Sequence, residues 1–230
     1  MVVGGVTVTV VRKAIKTVRL AVYPPDGRVR VSAPQRLSDD AVRKVVAGKL
    51  DWIRKQQARL AGQPPAAPRR MVSGETVAYL GRSYALRVVE APGRSQAALT
   101  GDGALELRVP PGSSREARRA VLDRWYRQRL GELVPPLLAR WEARLAVRAA
   151  EWRLRRMRTR WGSCSITARR IWLNVALAQR PVESLEYVIV HELAHLIERG
   201  HGPRFKAVLD RAMPGWREVK RRLDGRGVGG

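Results

Sequence analysis

Cysteine, histidine and long apolar runs are scarce in this 230-residue chain. The single cysteine, Cys164, cannot form an internal disulfide, which argues against a disulfide scaffold and fits a reducing compartment. No apolar run approaches the roughly 20 residues that a membrane-crossing helix needs, and the first residues lack the basic and apolar blocks of a signal peptide. We therefore expect a cytoplasmic protein with no membrane partner.

Acidic residues are scarce relative to basic ones, with 20 Asp and Glu against 45 Lys and Arg and a formal charge of +25. Only seven of the basic residues are lysines, so arginine dominates the positive charge. Such a charge favours a nucleic-acid or nucleotide partner, because each phosphate that is neutralised releases counterions. Arginines spread over solvated surfaces explain the composition equally well, so the total charge leaves this partner open.

Alternating apolar residues predict a β-rich N-terminal portion over residues 1–112. The alternation indicates a strand at Val6–Val10 and a hairpin over Thr17–Ser32 that turns at Pro24-Pro25-Asp26-Gly27. An amphipathic helix is expected from Ser38 to Leu60, followed by a joint rich in Pro and Ala at 62–68. Two further hairpins are expected over 76–89 and 98–109.

The second portion, 113–230, reads as helix, strand and helix again. Its predicted elements are a helical stretch from Ser114 that Pro135-Pro136 interrupts, strands at Glu151–Trp161 and Arg170–Ala176, and helices from Pro181 to Gly200 and from Pro203 to Ala212. A glycine-rich end at 225–230 is expected to fray. The whole pattern predicts an α+β fold.

All three histidines of the chain lie within eleven residues, and His191, Glu192 and His195 form an H-E-x-x-H motif. On a helix, residues four apart share a face with about 5–6 Å between their Cβ atoms. Two imidazoles so placed can converge on one zinc ion at about 2.0–2.1 Å. Glu192 lies beside them around the helix, where it can take a proton from an attacking water. The motif therefore predicts a hydrolytic metal site.

A third ligand is expected just after the helix. Gly200 favours a helix end, so the chain can turn back and present His201. Glu198 is the rival ligand, one turn after His195, or it accepts a hydrogen bond from an imidazole; a solvated charge is an equally simple interpretation. Three protein ligands leave one tetrahedral position open for water, as catalytic zinc requires. We expect one Zn²⁺ per chain.

These residues resemble the YgjP-like metal-dependent hydrolases, which are relatives of SprT-like and other H-E-x-x-H metallopeptidases. The specific matches lie in the C-terminal block: Arg160–Ser165, Leu173-Asn174, Pro181, Tyr187–Leu196, His201, Phe205, Pro214 and Leu223. Further matches extend the resemblance over nearly the whole chain: Asp26–Val29, Ala33-Pro34, Asp51–Ile53, Leu80-Gly81, Tyr84 and Trp125-Tyr126.

The resemblance implies that His191, His195 and His201 bind zinc and that Glu192 is catalytic. It also implies a zincin-like metallohydrolase core in residues 113–230, in which the metal-binding helix packs on a small sheet and a neighbouring strand aligns an extended substrate. Lys206 departs from the family, which usually has Trp after the Phe, and this leaves one wall of the site unpredicted.

The segment before the metal helix offers residues that can line the substrate site or support a ligand: Arg160, Trp161, Gly162, Ser163, Cys164 and, through the family match, Asn174. A buried thiol in a tight turn is the simpler interpretation of Cys164. Arg160 ends a run of arginines that can bind phosphate or a substrate carboxylate. A solvated strand edge is an equally good interpretation of that run.

The leading predicted function is zinc-dependent hydrolysis of a protein or peptide substrate. One alternative is a metal-dependent nucleotide phosphohydrolase, for which the arginines would stabilise phosphate charge. The other is a nucleic-acid-associated protein, either a protease recruited to DNA or a binding protein with an idle metal site. The residues do not indicate an oligomeric state.

Overall fold

The computed structural model describes residues 1–23, 26–61 and 69–225, which belong to two compact units, Met1–Pro68 and Arg69–Gly230. Two features predicted from the sequence lie wholly or mostly outside the described residues: the joint at 62–68 and the glycine-rich end. Of the predicted turn, Pro24-Pro25 lies outside them, and Asp26-Gly27 is described as a turn. Each unit has its own hydrophobic core. Within the described residues, no helix has the length and apolarity needed to cross a membrane.

The first unit is a four-stranded sheet with two helices. Its elements are β1 (Val2–Val3), β2 (Val6–Lys13), β3 (Arg19–Tyr23), β4 (Arg28–Pro34), α1 (Asp39–Ala47) and α2 (Leu50–Ala61). The strand order is β1-β2-β4-β3, and β3 pairs with β4 as the predicted hairpin. The prediction of one helix from Ser38 to Leu60 is wrong, because Gly48 ends α1 with its N–H bonded to the Lys44 carbonyl and a second helix begins at Leu50.

The second unit begins with another four-stranded sheet and a long helix. The elements are β5 (Thr76–Tyr79), β6 (Arg82–Glu90), β7 (Gln96–Leu99), β8 (Ala104–Val109) and α3 (Arg115–Leu145). Both predicted hairpins are present in the order β5-β6-β8-β7. The predicted break at Pro135-Pro136 is wrong, since α3 runs through both prolines. Val134, Leu138 and Trp141 are buried on either side of them, so packing outweighs the lost backbone hydrogen bonds.

A three-stranded sheet follows, and it forms one side of the candidate site. Its strands are β9 (Glu151–Arg155), β10 (Gly162–Ser165) and β11 (Arg170–Asn174), in the order β10-β11-β9, so β10 is an edge strand. The predicted single strand over Glu151–Trp161 is wrong, because the chain leaves the sheet after Arg155 and returns as β10. The fully buried Asn174 makes this excursion possible, since its amide side chain bonds the backbone of the 156–161 loop.

Three helices complete the second unit: α4 (Val182–Ala194), α5 (Pro203–Ala212) and α6 (Trp216–Gly225). A 3₁₀ helix, Val175–Gln179, leads into α4. The prediction that α4 continues to Gly200 is wrong, because its backbone tightens after Ala194, where Leu196 and Ile197 donate to carbonyls three residues back. Helix α6 has no counterpart among the elements predicted from the sequence.

The α+β prediction is confirmed, and α4 packs beside the small β9–β11 sheet as a zincin-like core requires. The sheet of β5–β8 shares one hydrophobic core with α3 and α4. The boundary between the two compact units therefore falls after Pro68. The functional division after residue 112 stays a prediction.

Candidate metal centre

The helix α4 presents His191 and His195 from its last turn. The helix is buried on nearly all sides, by Leu185, Val188, Ile189 and Leu193 among others, while the two histidines remain partly exposed. Their ring centroids are 5.0 Å apart. The four-residue spacing therefore brings both imidazoles to the same face of α4, where they remain partly open to solvent.

His201 reaches the same point from the turn between α4 and α5. Its Nε2 lies 3.1 Å from Nε2 of His191, and its ring centroid lies 4.7 Å from that of His195. Because α4 ends early, seven residues, 195–201, are free to fold the chain back over the helix end. Gly202 and Pro203 then start α5, which fixes the far side of the turn.

Phe205 of α5 forms the base of the histidine cluster. The ring is 1% exposed, and its centroid lies 4.8–5.0 Å from the centroid of each histidine ring. An apolar base of this kind keeps water away from one side of the imidazoles and restricts their rotation. Lys206, the departure from the family pattern, is exposed and does not line the site cavity.

The three histidines fit a metal ion by geometry, and His191 and His195 also fit it by their protonation state. One nitrogen from each lies within 4.8 Å of the others, and two ligands of a tetrahedral zinc ion stand about 3.3 Å apart. Burial, reinforced by the neighbouring imidazoles, lowers the pKa of His191 to about 3 and also lowers the pKa of His195. Neutral imidazoles are the form that ligates a metal. The donor set could hold one ion.

Each helical histidine has a partner for the ring nitrogen that faces away from the cluster. The Tyr187 hydroxyl lies 3.4 Å from His191 Nδ1, and the Glu198 carbonyl oxygen lies 3.4 Å from His195 Nδ1. Such partners hold the tautomer in which Nε2 is left as the ligand atom. Glu198 contributes its backbone here, and its carboxylate does not join the cluster of potential ligands among the described residues.

Glu192 lies under the site, between α4 and the edge strand. It is 5% exposed, and burial raises its pKa to about 8, against the opposing charge of Arg160. Gly162 is the reason that β10 can approach so closely, because a Cβ at this position would collide with Glu192 Oε1 and lie 2.7 Å from Val188 Cγ1. The carboxylate is therefore held in a narrow space beside the histidines.

An open cavity of about 560 Å³ connects these groups. Its walls come from the 159–166 segment, α4, the turn after α4, and α6: Thr159, Arg160, Trp161, Gly162, Ser163, Cys164, Ile166, Tyr187, Val188, His191, Glu192, His195, Arg199, His201, Lys220, Leu223 and Asp224. Five of the predicted lining residues, Arg160 to Cys164, are thus brought to the site.

Comparison with known proteins identifies a family to which the chain is similar. The model of the YgjP-like metallopeptidase domain matches residues 16–226. The chain belongs to the YgjP-like family. This confirms the resemblance described above and implies a metal-dependent peptidase in general terms.

Other comparisons of the YgjP-like chain are sparse. A search of curated proteins returned no match. Among solved structures, the metallopeptidase zymogen of Pyrococcus abyssi abylysin is similar at 24% sequence identity and a TM-score of 0.38. That alignment covers 40% of this chain and 93% of the abylysin chain.

Asn174 does not line the cavity of the YgjP-like domain but holds one of its walls. Its side-chain amide donates to the carbonyls of Met157 (2.8 Å) and Arg160 (2.7 Å), and its backbone N–H donates to the Trp161 carbonyl at 2.9 Å. A fully buried amide with these bonds fixes the loop that carries Arg160 and Trp161.

The only cysteine of the YgjP-like chain faces the cavity as an inert thiol. Burial, with the nearby charge of Glu192, raises the pKa of Cys164 to about 11. The raised pKa disfavours the thiolate, which is the form that acts as a nucleophile. Its surroundings therefore favour packing beside Glu192.

Most arginines of the predicted basic strand point away from the YgjP-like site. Arg153 and Arg155 lie over the ring of Trp172, at 5.7 and 5.9 Å from its centroid, and Arg156 pairs with Asp123. Of this run, only Arg160 reaches the cavity lining.

Sequence reasoning missed the roles of Tyr187, Phe205 and the α6 residues in the YgjP-like site. A signal existed for Tyr187, which lies four residues before His191 and therefore on the same helix face. The buried Trp216 and Leu223, with Val219 between them, also follow helical spacing and mark α6. The folding of α6 toward the histidines is a tertiary contact that no local pattern encodes.

Proposed function

We propose that this YgjP-like domain is a zinc peptidase in which His191, His195 and His201 hold the ion and Glu192 transfers protons. The observation that carries the proposal is the approach of three imidazoles to one point, with a buried carboxylate beside them. Three histidines leave a zinc ion one open position, which is typical of catalytic rather than structural sites.

The chemistry follows from the positions of these groups. A bound zinc ion supplies a Lewis acid that polarises the scissile carbonyl and lowers the pKa of the attacking water. Glu192 takes a proton from that water on its carboxylate and passes it to the leaving amine. The high pKa of the buried carboxyl favours this exchange, since a group that accepts and returns a proton works best when its pKa is near the working pH.

The edge strand β10 supports a peptide substrate. One side of β10 pairs with β11, and among the described residues no strand pairs with its other side. Free backbone groups on an edge can bind an extended peptide by adding a strand. Gly162 and Ser163 lie on this strand within the cavity lining, so such a peptide would pass close to Glu192.

The nucleotide phosphohydrolase and the nucleic-acid-associated protein receive less support. Arg153, Arg155 and Arg156, which motivated phosphate binding, are engaged with Trp172 and Asp123 and do not line the cavity. Nucleic-acid binding rests on the +25 charge alone. The phosphohydrolase and the nucleic-acid-associated protein remain hypotheses, and both can be tested on the same protein preparation.

The decisive experiment compares zinc-loaded wild type with Glu192→Gln on an unfolded protein substrate. We expect the wild type to cleave it and the variant to lose at least about 100-fold in rate, because a general base contributes about 10²–10⁴-fold. Zinc content measured by atomic absorption should be the same in both proteins. Adding duplex DNA tests recruitment, and release of phosphate from nucleoside triphosphates tests the phosphohydrolase.

If Glu192→Gln lost its bound zinc as well as its activity, Glu192 would have a structural role. Equal cleavage by both proteins would mean a contaminating protease. Glu192-dependent release of phosphate, with no peptide cleavage, would replace the peptidase proposal with the phosphohydrolase.

A further inference from the structure

The charges around the cavity indicate the class of peptide that it accepts, an inference that rests on the proposed peptidase function. We propose that the site selects acidic peptides, with Arg160 and Arg199 each binding a substrate carboxylate on the approach to the scissile bond. The charges of the lining that are not already neutralised determine this selectivity.

Charged side chains other than histidine occupy five positions of the lining: Arg160, Glu192, Arg199, Lys220 and Asp224. Lys220 and Asp224 form an ion pair with each other one turn apart on α6, so they largely cancel. Glu192 is buried beneath the histidines and is committed to proton transfer. Neither arginine forms an ion pair among the described residues, although Arg160 lies within electrostatic range of Glu192. A bound divalent metal would add further positive charge.

Arg160 is held in place at one part of the wall. Its carbonyl accepts from the buried Asn174 amide, and the next residue, Trp161, is bonded to the backbone of the same asparagine. Its exposed side chain lies close enough to influence Glu192 electrostatically. Arg160 therefore stands just ahead of the edge strand β10, where a peptide paired with that strand would pass.

Arg199 lines the cavity from a different segment, the turn after α4. It is exposed in the turn that joins His195 to His201, so both ends of its segment are tied to proposed metal ligands. Because the guanidinium is planar and always charged, each arginine can bind a carboxylate through two parallel hydrogen bonds.

The arrangement favours carboxylates on an extended chain over a phosphate group. A phosphate is usually cradled by several convergent donors, such as backbone amides at a helix start together with cations. Here the two arginines come from different segments, the loop before β10 and the turn after α4, while Arg153 and Arg155 lie over the ring of Trp172. Two cations carried by separate segments suit carboxylates on different side chains of an extended peptide better than they suit one phosphate group.

The test separates this local effect from the overall charge of +25. Cleavage of a peptide library of broad composition is profiled by mass spectrometry at 0.15 M salt with the zinc-loaded protein. The matched variants are R160Q/R199Q and R82Q/R211Q, which remove the same charge. Arg82 and Arg211 are exposed, form no ion pair among the described residues and do not line the cavity.

We expect Asp and Glu near the cleaved bond to be enriched about fivefold, the effect of one favourable exposed ion pair. R160Q/R199Q should bring this enrichment close to one, and R82Q/R211Q should leave it as in the wild type. Cleavage without acidic enrichment would overturn the inference, as would enrichment that survives R160Q/R199Q.

A binding measurement keeps the inference testable if the proposed function fails. Fluorescence anisotropy compares a labelled Glu-rich peptide with its Gln-rich counterpart on the zinc-loaded E192Q protein. A preference for the Glu-rich peptide that R160Q/R199Q removes would support the selection of carboxylates, even if no peptide is cleaved by the wild type. Equal binding of the two peptides, or displacement of the Glu-rich peptide by equimolar nucleoside triphosphate, would overturn it.

Discussion

At the scale of single residues, Tyr187 is the side chain whose role can be tested most cleanly. Its hydroxyl is 3.4 Å from His191 Nδ1, and its ring lies parallel to that of Trp216 with 6.1 Å between centroids. Tyr187→Phe keeps the ring and removes only the hydroxyl. We expect zinc affinity to fall about tenfold, the lower end of the loss typical for partners of ligating histidines. Competitive titration with a chromophoric chelator measures the change.

The visible spectrum of the cobalt-substituted protein gives a second measure, because its bands report the ligand geometry directly. Tyr84→Phe is the control, since Tyr84 is a partly buried tyrosine that packs near Tyr79 away from the histidines. Unchanged zinc affinity and an unchanged cobalt spectrum in Tyr187→Phe would show that the hydroxyl does not orient His191.

At the scale of elements, the close approach of β10 to α4 depends on Gly162. In Gly162→Ala the new methyl group would meet Glu192 Oε1 and Val188 Cγ1, so the strand or the carboxylate must move. We expect hydrolysis to fall by about 100-fold, the usual effect of a displacement near 1 Å at a reacting group. Zinc affinity should stay within about threefold, because the substitution does not touch the histidines. Steady-state kinetics and zinc titration measure the two effects.

Gly131→Ala is the matched control for that substitution. Gly131 lies on the exposed face of α3, where an added Cβ meets nothing within 4 Å. Alanine should raise the free energy of unfolding by about 0.5–1 kcal/mol through helix propensity and leave catalysis unchanged. If Gly162→Ala hydrolyses peptides as fast as Gly131→Ala, the proposed constraint on Glu192 does not exist.

The elements also show how far local pattern determines this structure. The spacing of His191 and His195 and the hairpins at 76–89 and 98–109 depend on neighbours in sequence, and these predictions agree with the structure. The continuation of α3 through Pro135-Pro136 depends on packing with distant residues. The close approach of Phe205 to the histidines is of the same kind, because it follows from the way α5 packs against α4.

At the scale of the whole molecule, the proposed centre belongs entirely to the second unit. Every residue of the cavity lining lies in Arg69–Gly230, and so does every member of the larger hydrophobic core, while the smaller core lies within Met1–Ile53. A unit with its own core and a complete ligand set contains what folding and metal binding require. We therefore expect residues 69–230, expressed alone, to fold and to bind zinc as tightly as the full chain.

Thermal unfolding of the full chain and of residues 69–230, each with and without zinc, measures how strongly the metal stabilises the two proteins. At a free zinc concentration 100 times Kd, binding to the folded state alone should raise the free energy of unfolding by about 2.7 kcal/mol in each. A smaller gain in the fragment would mean that the first unit contributes to metal binding. An equal gain with slower peptide cleavage would instead assign the first unit to the substrate, because the ligands would be intact while binding or turnover of the peptide had changed.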